Sequence, residues 1–270
     1  MKKILFILLS LFLWSCKSKH VVDDDFMRQS FQKVSYFDEA RNRQIPVAIF
    51  RKDHFENQKM PVVIFSHGYR RNQADSYLEY SYLVERLALK GYFVASIQHE
   101  LPTDELLPLE GNPQVLRRPN WERGSENILF VLNQLKKDYP KLDYSKVIVA
   151  GHSNGGDMTV LFTEKYPEMV WKLITLDQRR YSFPRISRPQ IYSLRSSDQP
   201  ADTGVLPTLE EQKKLGITII KLPKTIHNDM DDSGTDQQKR EIADYFMKFL
   251  TKTKTAQLTK FITKNFVTPK

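Results

Sequence analysis

At 270 residues, 40% apolar and 27% charged, the chain has the size and composition of one α/β domain with a substantial core. It contains no long low-complexity tract and no repeat with a period of about twenty to fifty residues, which excludes solenoids and propellers. Much of the formal charge of +9 sits at the two ends, on Lys2, Lys3, Lys252, Lys254, Lys260, Lys264 and Lys270, so the basic balance does not argue for a nucleic-acid partner.

In chain order, Met1-Lys2-Lys3 followed by the apolar run Ile4 to Trp14 reads as the n-region and h-region of a signal peptide. The run is too short to span a bilayer comfortably. It leads into Leu13-Trp14-Ser15-Cys16, which resembles the lipobox of bacterial lipoproteins. That resemblance implies removal of residues 1–15, acylation of Cys16, and a protein lipid-anchored to a bacterial membrane outside the cytoplasm. Cys16 is the only cysteine, so no intramolecular disulfide can form. Residues 16–30 are polar, include Asp23, Asp24 and Asp25, and read as a flexible tether. Residues 31–250 hold the domain, and residues 251–270 form a basic tail expected to be solvated.

Phe31 to Phe37 and Ile45 to Arg51 alternate loosely around a polar turn, as in an antiparallel hairpin at a sheet edge. Pro61 to Ser66 is a continuous apolar run, the pattern of a strand buried on both faces. A helix is expected over 75–90, with Leu78, Tyr82, Leu87 and Leu89 inward, then a strand over 92–98. The segment from His99 to Pro119 is rich in proline and lacks periodicity. A helix over 121–138 precedes a strand over 146–150, and a further helix over 154–166 closes at Pro167. Strands are expected over 170–176, 189–195 and 217–222, and a closing helix over 237–250. Strands alternating with helices after an initial hairpin predict a mostly parallel twisted sheet covered on both faces.

Between the strand at 146–150 and the following helix lies Gly151-His152-Ser153-Asn154-Gly155, which fits G-x-S-x-G. The flanking glycines suit a tight strand-to-helix turn that lifts a serine to the top of the sheet, with a helix N-terminus aimed at the reacting centre. This organisation resembles the α/β-hydrolase fold from about Phe31 to Leu250. His67-Gly68 after a strand, the loop-rich middle and Gly-His-Ser-Asn-Gly-Gly resemble most the esterase, dienelactone-hydrolase-like and platelet-activating-factor-acetylhydrolase-like branches. Dienelactone hydrolases proper use cysteine, and Ser153 argues against their reaction.

The resemblance implies the chain order nucleophile, acid, histidine, which Ser153, Asp198 and His227 match. Asp202 and Asp177 are alternative acids. Of the other histidines, His20 lies in the tether, His54 in a polar loop, His67 and His152 in the oxyanion and elbow motifs, and His99 at a strand end. The oxyanion hole is expected from the backbone N–H groups of Asn154 and Tyr69. Trp121, Tyr69, Tyr181 and Phe183 are candidates for an apolar substrate pocket, and Arg179-Arg180 for meeting a carboxylate or phosphate. No metal-ligand spacing, G-x-G-x-x-G or P-loop occurs, so neither metal nor nucleotide cofactor is expected. The expected activity is hydrolysis of a small carboxylic ester through an acyl-enzyme. A peptidase of the same fold and a catalytically idle binding lipoprotein are the alternatives.

Overall fold

The computed structural model describes residues 31–52 and 59–251. The signal peptide, Cys16, the tether with His20, His54 and the tail from residue 252 lie outside them. Eight strands build one sheet: β1 Gln32–Asp38, β2 Arg43–Phe50, β3 Pro61–Ser66, β4 Phe93–Ile97, β5 Asp143–His152, β6 Lys172–Leu176, β7 Gln190–Arg195 and β8 Thr218–Lys221. Their spatial order is β1-β2-β4-β3-β5-β6-β7-β8. The β1/β2 and β2/β4 pairs are antiparallel, and every pair from β4 to β8 is parallel. The edge hairpin turns where the Asp38 carboxylate accepts the Arg41 N–H and Asn42 adopts a left-handed φ of 46°.

Helices cover both faces. On one lie α3 Arg118–Asp138 and α4 Ser153–Lys165, on the other α1 Ser81–Leu89 and α6 Asp236–Thr251. The alternation within β3 shows why its sequence is apolar throughout. Val62 and Ile64 pack with Trp121, Ile128 and Phe162, whereas Val63 and Phe65 pack with Leu83, Leu87 and Phe246. Such a strand has no solvated face to mark with polar residues. Lys172 is buried where β6 passes the end of α6, and its Nζ donates to the carbonyls of Phe249 and Leu250 at 2.6 and 2.7 Å. It thereby serves two carbonyls that the last helical turn leaves open. Among the described residues no helix is long and apolar enough to cross a membrane.

One expectation is corrected, and two short helices are added. The helix over 75–90 is split into a 3-10 turn at Ser76–Leu78 and α1, because Tyr80 leaves the helical region at φ −131° and ψ 32° and so starts α1 afresh at Ser81. Its buried face is Leu83, Val84, Leu87 and Ala88, and Leu89 is exposed. The 99–119 segment contains the short helix α2 Pro113–Leu116, capped by the Asn112 side chain, and α3 begins at Arg118. A further helix, α5 Leu209–Leu215, carries a signal that sequence reading passed over: a Thr208/Glu211 capping box and a Gly216 stop.

Strand β3 lies between β4 and β5, so the chains leaving β3 and β5 diverge and open a crevice at the carboxyl ends of the strands. Close contact there fixes both loops. A Cβ on Gly155 would lie 2.2 Å from the His67 carbonyl oxygen and 2.5 Å from that of Ser66. Gly155→Ala should therefore destabilise the fold by about 3 kcal/mol or more. Gly216→Ala, at φ 74° with open space around it, should cost only about 1 kcal/mol. Urea unfolding of the two variants tests this; equal losses would contradict the close-approach account.

Candidate active site

Strand β5 ends at His152 and α4 begins at Ser153 with nothing between them. Ser153 takes φ 52°, a left-handed conformation that costs a residue with a Cβ about 1–2 kcal/mol. The turn is tight enough that a Cβ on Gly151 would meet the Gly155 carbonyl oxygen at 2.5 Å. Ser153 thus stands half-buried at the end of the central strand, on the first turn of a helix.

His227 follows β8, in a 3-10 turn at His227–Met230. The Ser153 hydroxyl lies 2.9 Å from His227 Nε2. On the other side of the ring, Nδ1 lies 2.6 Å from Asp177 Oδ2. Asp177 is fully buried. It accepts the Ser196 hydroxyl at 2.7 Å and the Ser196 N–H at 3.0 Å, and Arg195 Nη2 stands 2.9 Å from its Oδ1. Burial works to raise this carboxyl, but the bonds from His227 and Ser196 and the charge of Arg195 outweigh it and hold it down at about 2.

The sequence expectation for the acid is corrected here. Asp198 does not meet the imidazole ring: its Oδ1 accepts the backbone N–H of His227 at 2.8 Å. It holds the loop, while Asp177 holds the ring. Asp202 is drawn away by Arg180. Asp177 reaches the ring because it leaves β6 at φ 51°, directly beside β5 in the sheet.

The buried His152 ring packs on His227 with centroids 4.6 Å apart. Burial first, and the proximity of His227 second, push His152 well below the usual histidine range, so it is neutral. Tyr80 Oη accepts the Gly68 N–H at 2.9 Å and lies 2.8 Å from His152 Nδ1. One hydroxyl therefore ties the loop after β3 to the elbow. It also occupies the Gly68 donor. The N–H groups of Tyr69 and Asn154 have no acceptor among the described residues, and a small cavity of about 40 Å³ is lined by Gly68, Tyr69, Tyr80, Ser153 and His227.

The Asn154 side chain faces inward and is the hub of a buried polar cluster. Its Oδ1 accepts Trp121 Nε1–H at 2.8 Å, and its Nδ2 donates to Glu100 Oε1 and Asn120 Oδ1 at 2.9 and 2.8 Å. Sequence reading missed Glu100, Asn120 and Tyr80 altogether, because isolated polar residues in helices or loops carry no local signal of burial. Trp121, Tyr181 and Phe183, expected as pocket candidates, are buried in the core cluster on the α3/α4 side of the sheet. Tyr69 is half-buried and fixed by its hydroxyl, which accepts the Leu107 N–H at 2.9 Å. Among the described residues no group of three or more His, Cys, Asp or Glu is placed to hold a metal ion.

Comparison with solved structures bears on the fold. The chain is similar to esterase Est22, with TM-score 0.61 and 14% identity over 83% of this chain and 82% of that one. It is similar to an esterase from the fungus Rhizomucor miehei, with TM-score 0.59 and 16% identity over 82% and 81%. An esterase of Pyrobaculum calidifontis gives TM-score 0.59 and 13% identity over 82% and 84%. The chain has the α/β-hydrolase fold. No protein-family model matches it, and no curated protein matches it in sequence.

Two stability effects follow from the site's electrostatics. Asp177 has a lower pKa folded, at about 2, than its ordinary value of 3.8. Its contribution, about 2 kcal/mol, is therefore present above pH 4 and lost as pH falls from about 4 to about 2. Asp177→Asn should flatten the acid limb of a stability-versus-pH curve in that window; an unchanged limb would refute the assignment. In the buried cluster, Asn154→Ala removes the shorter hydrogen bond to Glu100 Oε1 and should cost about 2–3 kcal/mol, read by urea unfolding at pH 7.

Proposed function

We propose that this protein is a serine hydrolase that cleaves a carboxylic ester through Ser153, His227 and Asp177. The observation that carries the reading is the unbroken chain from Ser153 Oγ through His227 to Asp177 Oδ2, at 2.9 and 2.6 Å. A serine hydroxyl needs a general base within hydrogen-bond reach, and the base needs a partner that fixes its tautomer and stabilises the imidazolium. A low-lying, fully desolvated carboxylate on Nδ1 meets that second need.

In this reading the Ser153 oxygen attacks the ester carbonyl carbon while its proton passes to His227 Nε2. The oxyanion is received by the N–H groups of Asn154 and Tyr69, the first supported by the α4 N-terminus. Collapse of the tetrahedral intermediate expels the alcohol, which takes the proton from His227. Water, deprotonated by the same nitrogen, then releases the acid. Esterases among the structural neighbours favour an ester as substrate. Among the described residues the excursion from 99 to 117 holds one four-residue helix, and no propeller or large helical cap stands over Ser153. This places the ester ahead of the peptide bond. An idle binder would have no physical need of the three-residue chain.

The same reading includes Cys16 as the acylated residue and a position on the outer side of a bacterial cytoplasmic membrane or beyond it. Its support is the sequence alone, the basic and apolar start followed by Leu13-Trp14-Ser15-Cys16.

Full-length protein in detergent should be labelled by a fluorophosphonate, and Ser153→Ala or His227→Ala should abolish labelling. On a short p-nitrophenyl ester, Asp177→Asn should lower turnover by about 10³–10⁴-fold, and Asp198→Asn by less than about tenfold. Absence of labelling in folded protein would sink the hydrolase reading. The reverse ranking of the two aspartates would return the acid role to Asp198.

A further inference from the structure

The loop after β6 carries Gln178-Arg179-Arg180, and the excursion after β4 brings Arg117 within reach of the charges of Arg179 and Arg180. Gln114 Nε2 donates to the Arg180 carbonyl, and Arg118 Nη1 donates to Tyr181 Oη at 3.0 Å. These contacts bind the two segments to each other. The loop is held on the nucleophile's own helix, because Asp157 Oδ1 accepts the N–H groups of Arg180 and Tyr181 at 3.1 and 2.8 Å. Asp157 stands one helical turn, about 6 Å along the axis, from Ser153. Arg179 is two residues from Asp177, the carboxylate on His227.

Three half-buried arginines thus lie on two adjoining segments, close enough for their charges to act on one another, and their compensation is incomplete. Arg180 pairs with Asp202. Arg117 spends its Nε on the Pro108 carbonyl at 3.0 Å. The Arg179 guanidinium has no hydrogen bond or ion pair among the described residues. Burial lowers the pKa of Arg117, and Arg180 and Arg179 lower it further. For Arg179, burial and then Arg180 act in the same direction, against the carboxylates of Asp177, Asp157 and Asp202. Asp157 gives less than a full charge near neutral pH, since burial raises its carboxyl to about 7 despite the two backbone N–H donors. Like charges crowded in a partly desolvated place are costly unless an anion joins them.

We propose that Arg117 and Arg179 form an anion subsite beside Ser153 and that the preferred ester carries a carboxylate. The inference rests on the hydrolase reading and specifies its substrate class. Guanidinium forks suit a carboxylate by charge and by bidentate geometry. A substrate held there at its charged end is anchored away from the scissile bond, which turns binding energy into orientation of the carbonyl at Ser153.

The test compares matched esters on full-length protein in detergent, at low and high salt. One pair, monoethyl adipate against ethyl hexanoate, places the charge in the acyl part. The other, the acetyl ester of 4-hydroxybutyrate against butyl acetate, places it in the alcohol. In one pair kcat/KM should favour the charged ester by about tenfold or more, an advantage that shrinks with salt. Arg179→Ala and Arg117→Ala should each bring that ratio toward one, mainly through KM, and Arg179→Lys should restore part of it. The ratio is internal to each variant, so a general loss of folded protein does not move it. Equal kcat/KM in both pairs for protein that labels with fluorophosphonate would overturn the subsite and leave the hydrolase standing. A preference that survives both substitutions would overturn it as well. Failure to label would instead remove the parent reading.

Discussion

The site depends on how closely the backbone after β3 approaches the first turn of α4. A hydrogen is all that fits at Gly155, whose Cβ position lies 2.2 Å from the carbonyl oxygen of His67 and 2.5 Å from that of Ser66 at the end of β3. The contact pins the start of the helix under the β3 loop, and it leaves Ser153 to make the strand-to-helix change alone, at φ 52°. A residue held in that conformation survives only where its surroundings over-determine it. Here they do so from every side: Gly151 beneath, Gly155 against β3, and Gly156, whose Cβ position lies 2.6 Å from the Gln178 side chain. The same packing aims the first helical N–H groups, which have no partners within the helix, at the space above the serine. Geometry around Ser153 is therefore a consequence of backbone packing, and side chains refine it.

The two aspartates near His227 illustrate how the sheet gives like residues different places. The loops after β6 and β7 each carry an aspartate near their start, close to His227, and both carboxylates bond to that residue, one to the ring and one to the main chain. What separates them is solvation. Asp177 is fully buried with Ser196 and Arg195 converging on it. Asp198 is exposed. Only the buried one can oppose a developing imidazolium in a low dielectric, where the attraction is strong.

The parts of this molecule with a periodic or local signature were legible in its sequence. The apolar run of β3, the alternation of the hairpin, the spacing of Ile128, Leu132 and Leu135, and the elbow glycines each announce themselves within ten residues. The choice among Asp177, Asp198 and Asp202 was not legible, since it turns on a backbone dihedral and on which strand lies next to β5. Nor was the cluster of Glu100, Asn120 and Asn154, whose members come from three segments and are joined only by the fold. Tyr80, whose backbone leaves the helical region just before α1, likewise gave no warning that a helix expected over 75–90 would begin late. Long-range contacts decide such matters, and sequence spacing is blind to them.

Four histidines lie around the crevice, and the structure gives them different duties by giving them different neighbours. His67 Nε2 accepts the His99 N–H at 3.1 Å, which fixes it as a brace between the loops after β3 and β4. His99 itself bonds to the Ser66 hydroxyl at 2.9 Å, and burial, followed by the charges of its neighbours, pushes it well below the usual range. His152 is pushed down in the same way and lends its ring face to His227. Two neutral imidazoles add no competing proton acceptor that is paired with a carboxylate. His227 alone has a desolvated anion on one ring nitrogen and a serine hydroxyl on the other. A proton gained by the ring is thereby directed to a single nitrogen, and the carboxylate on the other side is itself kept ionised by Ser196 and Arg195.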